Sequence, residues 1–285
     1  MPDLVVHDDL TSFWAATQQL YTADPVRHTV ALSVITRRLT HPNPDAEPAI
    51  LVTAHEHGEL LGAAIQTPPH PLIAGAIPLP LIDDFVAILH EIVPDLDGVS
   101  GDRTTAEAFA TSWTAKTGRT ATESMSMRLH RLTTLHTPDV PGHATLATTS
   151  DLDVDLLSSW HHAFAVEATT HTPPVDARTV IRRQISQGYG HLIWSVGCIP
   201  VSWAAASPPI QNMSRISPVY TPPQYRNHGY AAAITAAAST WALNSGATTV
   251  LLYTDLANPT SNALYHRLGF TPVLDATELT FTQPP

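Results

Sequence analysis

The chain has 285 residues, 44% of them hydrophobic, with 6 Trp, 6 Phe and 7 Tyr, and a formal net charge of −11. That is enough apolar material for one large core or two smaller ones, and too much for a disordered chain. No apolar run reaches the roughly 20 residues that span a bilayer, no Lys/Arg cluster offers a stripe for nucleic acid, and the single Cys198 excludes an intramolecular disulfide framework. Met1-Pro2-Asp3 opens no basic-then-apolar signal, so the expectation is a cytoplasmic protein. Residues Thr11 to Leu39 carry helical periodicity, with Phe13, Leu20 and Tyr21 as one apolar set and Val30, Val34 and Ile35 as another, broken at Asp24-Pro25. Ile50–Ala54 and Leu60–Ile65 flank Glu56-His57-Gly58 as a hairpin, which Pro68-Pro69 ends. Leu81–Val93 reads as an apolar helix, and Asp102 caps another from Arg103 to about Lys116, with Gly118 as its stop. Met125–Leu129 alternates as a strand does.

From His136 to Ser150 the composition turns to Thr, Pro, Gly and His without periodicity, which predicts a linker holding at most a short strand around Ala144-Thr145-Leu146. Asp151–Ala168 reads as a helix with Leu156, Leu157, Trp160 and Phe164 on its apolar side, and Ala177–Gln187 as a second. His191–Ala206 repeats the hairpin pattern around Gly197 and again ends in Pro-Pro. Met213–Tyr220 and Thr248–Thr254 read as strands, Pro259–Leu268 as a helix stopped by Gly269, and Glu278–Phe281 as a closing strand. The halves therefore share an element order, which predicts a duplication with domains at 1–135 and 151–285 joined by 136–150. The 16 His are scattered. His55-x-His57 in the first hairpin is better read as a solvated turn than a chelate, so no metal is expected.

One stretch carries chemistry. Met213–Tyr220 runs into a Pro-Pro loop, then Arg226-Asn227-His228-Gly229, then an Ala-rich helix. A helix start has unpartnered N–H groups and a partial positive charge, and Gly229 lets an anion approach the backbone. The reading is a phosphate cradle.

Arg226-x-x-Gly229-x-Ala231 resembles the acyl-CoA signature of the GNAT superfamily of acyltransferases, and Asn258 through Gly269-Phe270, with Ala263-Leu264-Tyr265 inside it, resembles the family's second signature. The resemblance covers about the last 140 residues. It implies an α/β (α+β) fold of two tandem GNAT-like domains, each a mixed, mostly antiparallel sheet flanked by helices. It also implies acetyl or another acyl group carried on coenzyme A. The pyrophosphate would lie on the backbone of Arg226, Asn227, His228, Gly229, Tyr230 and Ala231, and the pantetheine on main-chain groups of Val219 and Tyr220, as if it were an added strand. Asn258 matches the family asparagine that reaches the cofactor arm, and Asn262 stands one turn later. Tyr265 matches the tyrosine beside the thioester sulfur, where a phenol can give the leaving thiolate its proton. The plain alternative is a core tyrosine against Trp241 or Phe270.

The acceptor amine must also lose a proton. Glu167, His161, His162 and His171 lie on or after the helix bordering the acceptor site. Glu167 is preferred, since it falls on the side of Trp160 and Phe164 and is expected to be partly buried. If Gly118 matches Gly269, the first half has Thr114 in place of Tyr265 and Thr111 in place of Asn262, and it lacks the cradle. It reads as a degenerate domain that supports the second and closes part of the acceptor site. The expected activity is transfer of an acyl group from coenzyme A to a primary amine of a small molecule or a peptide N-terminus. The acidic chain would suit a cationic acceptor such as a polyamine or aminoglycoside. The partner is that acceptor, with no nucleic acid or membrane, in a monomer or homodimer. The alternative is a non-catalytic acyl-CoA sensor.

Overall fold

The computed structural model describes residues 2–168 and 176–283. The first run of elements is β1 (Asp3–Val6), α1 (Leu10–Ala23), α2 (Thr29–Thr40), β2 (Ile50–Glu56), β3 (Glu59–Gln66), β4 (Leu72–Ala76), α3 (Ile82–Ile92), β5 (Gly98–Asp102), α4 (Arg103–Thr117) and β6 (Thr120–Leu132). The second is β7 (His143–Leu146), α5 (Asp151–Glu167), α6 (Ala177–Ser186), β8 (Gly190–Val196), β9 (Ile199–Ala206), β10 (Met213–Tyr220), α7 (Tyr230–Asn244), β11 (Thr249–Asp255), α8 (Pro259–Leu268) and β12 (Phe270–Thr282). Both runs have the order β-α-α-β-β-β-α-β-α-β, so the duplication expected from the sequence is present in the fold. Each is mostly antiparallel and includes a parallel pair, β4 with β5 in one and β10 with β11 in the other.

The compact units are not contiguous halves. One comprises residues 1–128, 255–257 and 274–285; the other comprises 129–254 and 258–273. This differs from the division at 1–135 and 151–285, and the cause is strand pairing. The closing strand extends well before Glu278, and its later part pairs antiparallel with β5, Ala276 opposite Asp102 through Thr280 opposite Gly98.

Local chemistry accounts for most helix starts. Asp9, Asp102, Ser150, Asp176 and Asn258 each cap the helix that follows by accepting a backbone N–H. α7 differs. It begins at Gly229 with no side-chain cap.

The first unit's core gathers Val52, Leu72, Phe85, Leu89, Val99, Phe109, Trp113 and Phe281. The second unit packs both faces of its sheet, and the period of two along β9 decides which residue goes where. Ala204 and Ala206 join Ile216, Ile234, Leu252, Tyr265 and Phe270 under α7 and α8. Trp203 and Ala205 join Leu157, Trp160, Ile181 and Tyr220 under α5 and α6. Each large side chain so buried contributes about 1.5–3 kcal/mol. The alanines of α7 serve propensity and packing together, since Ala233, Ala236, Ala238 and Ala242 are all buried.

Three strands escaped the sequence reading. β1 is only 4 residues long. β4 and β5 contain Gly75 and Gly101, which weaken a strand pattern. The reason for one of them is spatial: a Cβ on Gly101 would lie 3.2 Å from the Gly75 nitrogen.

Candidate active site

β10 and β11 pair in parallel from Met213 opposite Thr249 to Ile216 opposite Leu252. Both strands continue, to Tyr220 and Asp255, but the recorded pairing stops there. A bulge in the β9 register between Ile216 and Val219 coincides with this point, and bulges bend the strand that carries them. Val219 and Tyr220 still pair with Ala204 and Trp203 of β9 but lie past the last recorded β10–β11 pair.

After Tyr220 a short 3₁₀ turn at Pro223–Tyr225 leads to the loop. Asn227 has φ +65° and Gly229 has φ +82°. A residue in the left-handed region suits glycine. A Cβ at 229 would also meet Val140 Cγ2 at 3.0 Å. The first N–H groups of α7 have no intrahelical acceptor, and neither a capping side chain nor an acidic residue in the first turn neutralises them. Residues 226–229 are exposed. His228 donates or accepts at the Arg226 carbonyl through Nδ1 at 2.7 Å, and since a carbonyl only accepts, Nδ1 carries the proton. Its ring stacks on Tyr230 at 5.4 Å. These features fit a coenzyme pyrophosphate.

The far side of the site is α8. Asn258 caps it, its Oδ1 accepting from the Ser261 nitrogen at 3.1 Å. Asn262 is a tie. Its Oδ1 accepts from the Thr254 hydroxyl at 2.7 Å and its Nδ2 donates to the Asn258 carbonyl at 2.8 Å, joining the end of β11 to the start of α8. That use of both amide groups accounts for Asn262 without a ligand. Behind it, His130 Nε2 lies 3.3 Å from the Thr254 hydroxyl. Thr254 gives its proton to Asn262, so His130 is the donor. Nothing in the sequence marked His130.

Tyr265 follows on the same helix. It is 9% exposed and shares a core cluster with Ile216 and Leu252, the last pair before the strands stop pairing. Its ring meets Phe270 edge-on at 6.0 Å. Burial pushes its phenol up to about 12, so at neutral pH it holds a proton to give. The core role and the donor role are compatible.

Glu167 is the last residue of α5, and its side chain is 43% exposed. Its Oε2 accepts from Arg226 Nη2 at 2.5 Å and its Oε1 from the Tyr220 hydroxyl at 3.3 Å. His162 is exposed. His161 is half-buried with its ring tilted against Trp203, and its pKa is lowered by burial and by His162. Beneath it His191 is fully buried, accepts the Trp203 indole N–H at 3.3 Å, and is pushed down to about 4 by burial and then by His161. His171 lies outside the described residues.

The profile of the acetyltransferase (GNAT) family matches residues 155–270. This segment is a GNAT-family domain. No curated protein matches the sequence. Solved structures similar to the whole chain include a GCN5-related N-acetyltransferase from Sphaerobacter thermophilus, at 14% identity and TM-score 0.63 over 99% of this chain and 96% of that one. Another is a GCN5-related N-acetyltransferase from Kribbella flavida, at 17% identity and TM-score 0.56 over 90% and 95%. A tandem GNAT protein from the clavulanic acid biosynthesis pathway, in a form without AcCoA, matches at 12% identity and TM-score 0.57 over 100% and 99%. At such identities the likeness is one of fold, and the fold is a tandem GNAT one. Within the GNAT domain, Gly229, the end of the β10–β11 pairing and Tyr265 all belong to one compact unit. Among the described residues no helix is long and apolar enough to cross a membrane.

Proposed function

We propose that the GNAT domain transfers an acyl group, acetyl in the simplest case, from coenzyme A to the primary amine of a small molecule or a peptide N-terminus. The observation that carries this reading is an uncapped α7 that starts at a left-handed glycine, next to strands that stop pairing at Ile216 and Leu252. Coenzyme A would supply an acyl group activated as a thioester. The backbone N–H groups from Arg226 to Ala231 would hold its pyrophosphate. Charge-assisted hydrogen bonds of that kind contribute about 1.5–3 kcal/mol each before ordering costs. Val219 and Tyr220 would hold its pantetheine arm through main-chain groups. Asn258 stands at the exposed start of α8, within the family's second signature.

Tyr265 would give its hydroxyl proton to the departing thiolate, which its raised pKa suits: the phenol stays protonated until donation is needed. The acceptor nitrogen loses its own proton. Glu167, the residue the sequence reading preferred for this role, accepts hydrogen bonds from the Tyr220 hydroxyl and the Arg226 guanidinium.

The test is calorimetric titration with acetyl-CoA, then thiol release from acetyl-CoA across a broad panel of amines. Binding with amine-dependent release is expected. Binding without release from any amine would favour the sensor. Absence of binding would end the reading.

A further inference from the structure

Resting on the reading of residues 219–231 as the coenzyme-binding segment, we infer that Glu167 is a positioning residue that sets the shape of that segment and is not the base of the reaction. The two carboxylate oxygens of Glu167 are divided between the two pieces of chain proposed to hold the coenzyme. One takes the Tyr220 hydroxyl, at the end of β10. The other takes Arg226, the first residue of the cradle. A single side chain at the end of α5 therefore registers strand end and loop start against each other.

The loop needs such a tie. Residues 226–229 are exposed, so packing does little to choose their conformation. Asn227 stands in the left-handed region, which asparagine enters more readily than other non-glycine residues. Arg226 is the anchor. Its Nε donates to the Thr221 carbonyl at 3.0 Å while Nη2 reaches Glu167, and its own carbonyl receives His228. A planar guanidinium with N–H groups in fixed directions suits this double hold. Thr221 is itself fixed, its hydroxyl 2.8 Å from Ser202 Oγ, which donates to the Tyr220 carbonyl at 3.0 Å. Releasing Glu167 frees the outer end of this series and lets the cradle N–H groups diverge.

The ion pair is not there chiefly for global stability. Both side chains are 43% exposed, and pairs in that setting contribute little. A base, in turn, needs a lone pair aimed at the amine, and the two oxygens of Glu167 are directed to the Tyr220 hydroxyl and the Arg226 guanidinium.

The experiment compares the wild-type protein with Glu167→Gln and Glu167→Ala by calorimetric titration with acetyl-CoA, with the unfolding temperature as the fold control. Affinity should fall about threefold in the glutamine variant and about tenfold in the alanine variant, since the first keeps a neutral acceptor and the second keeps none. Unfolding temperatures should stay close to wild type. Turnover with the amine that gives fastest thiol release should show a raised KM for acetyl-CoA, while the kcat–pH profile keeps its rising limb. Affinities within twofold of wild type in both variants would overturn the inference. So would a kcat–pH profile that loses its rising limb while affinity holds, because that is the signature of a base. A wild-type protein that does not bind acetyl-CoA at all would overturn the underlying reading, and this inference with it.

Discussion

In the first unit the parallel strands β4 and β5 run so close at Gly75 and Gly101 that a Cβ on Gly101 would lie 3.2 Å from the Gly75 nitrogen. In the second, β10 and β11 stop pairing at Ile216 and Leu252 although both strands go on, as β4 and β5 also do past Ile73 and Ser100. The clear difference lies in the helices that follow β4 and β10. α3 starts after Leu81 without a left-handed glycine and carries Asp83 and Asp84 in its first turn, where they would repel a phosphate. α7 starts at Gly229 with no acid there. At the next helix, Thr114 donates back to the Thr111 carbonyl and Thr111 to the Glu107 carbonyl, so both hydroxyls are spent within α4. They line an open cleft of about 380 Å³. In α8 the corresponding residues are Tyr265, with a proton to give, and Asn262, a tie to β11. What this teaches is that the shared element order is kept by core packing, which needs many residues. A coenzyme slot of the kind proposed for the second unit would depend on a few local ones, which a duplicated unit could lose without unfolding.

The comparison can be broken most severely by separating the second half. A chain beginning at Ala144 lacks Leu129–Leu132 of the second unit and leaves Ala276–Thr280 without β5. We expect it to be insoluble or to lose cooperative unfolding, measured by circular dichroism, forfeiting a domain stability of about 5–15 kcal/mol. A soluble fragment with wild-type acetyl-CoA affinity would mean that the interleaving is dispensable.

Next comes chemistry. Tyr265→Phe keeps the ring against Phe270 and removes the donor, so turnover should fall about 10²–10⁴-fold with acetyl-CoA affinity nearly unchanged. Because the phenol sits at about 12, any loss of wild-type rate at pH 8–10 has another source. Unaltered turnover in the variant would make Tyr265 a packing residue, as Thr114 is a surface one.

Gly229→Asp places a carboxylate and a strained φ where the pyrophosphate should lie, in effect giving α7 the acidic first turn of α3. Acetyl-CoA affinity should drop at least about 10²-fold, read by calorimetry, with folding retained. Wild-type affinity would remove the cradle from this loop. The smallest effect sharpens the contrast from the other side. Gly101→Ala should destabilise the protein by about 1–3 kcal/mol in denaturant unfolding, because its Cβ has no room against Gly75. It should leave acetyl-CoA affinity alone. A changed affinity would show that the first unit takes part in coenzyme binding.

The sequence by itself determined the helices, the two hairpins, the repeated order and the glycine loop that leads into α7. These rest on local signals: apolar periodicity, capping residues such as Asp102 and Ser150, and a glycine placed before an Ala-rich run. It did not reveal β4 and β5, whose glycines look unlike strands until their mutual approach is seen. It did not reveal that the chain's last strand would leave its own half to pair with β5, since strand partners are chosen by backbone bonds that any residue can make. Nor could it show that Glu167 would meet Arg226 and Tyr220, or that His130 would stand behind Thr254. Those contacts join residues far apart in the chain, and only the folded sheet brings them within hydrogen-bond reach. Side-chain spacing along one helix says which way a carboxylate faces; where its partners stand is decided by every other element.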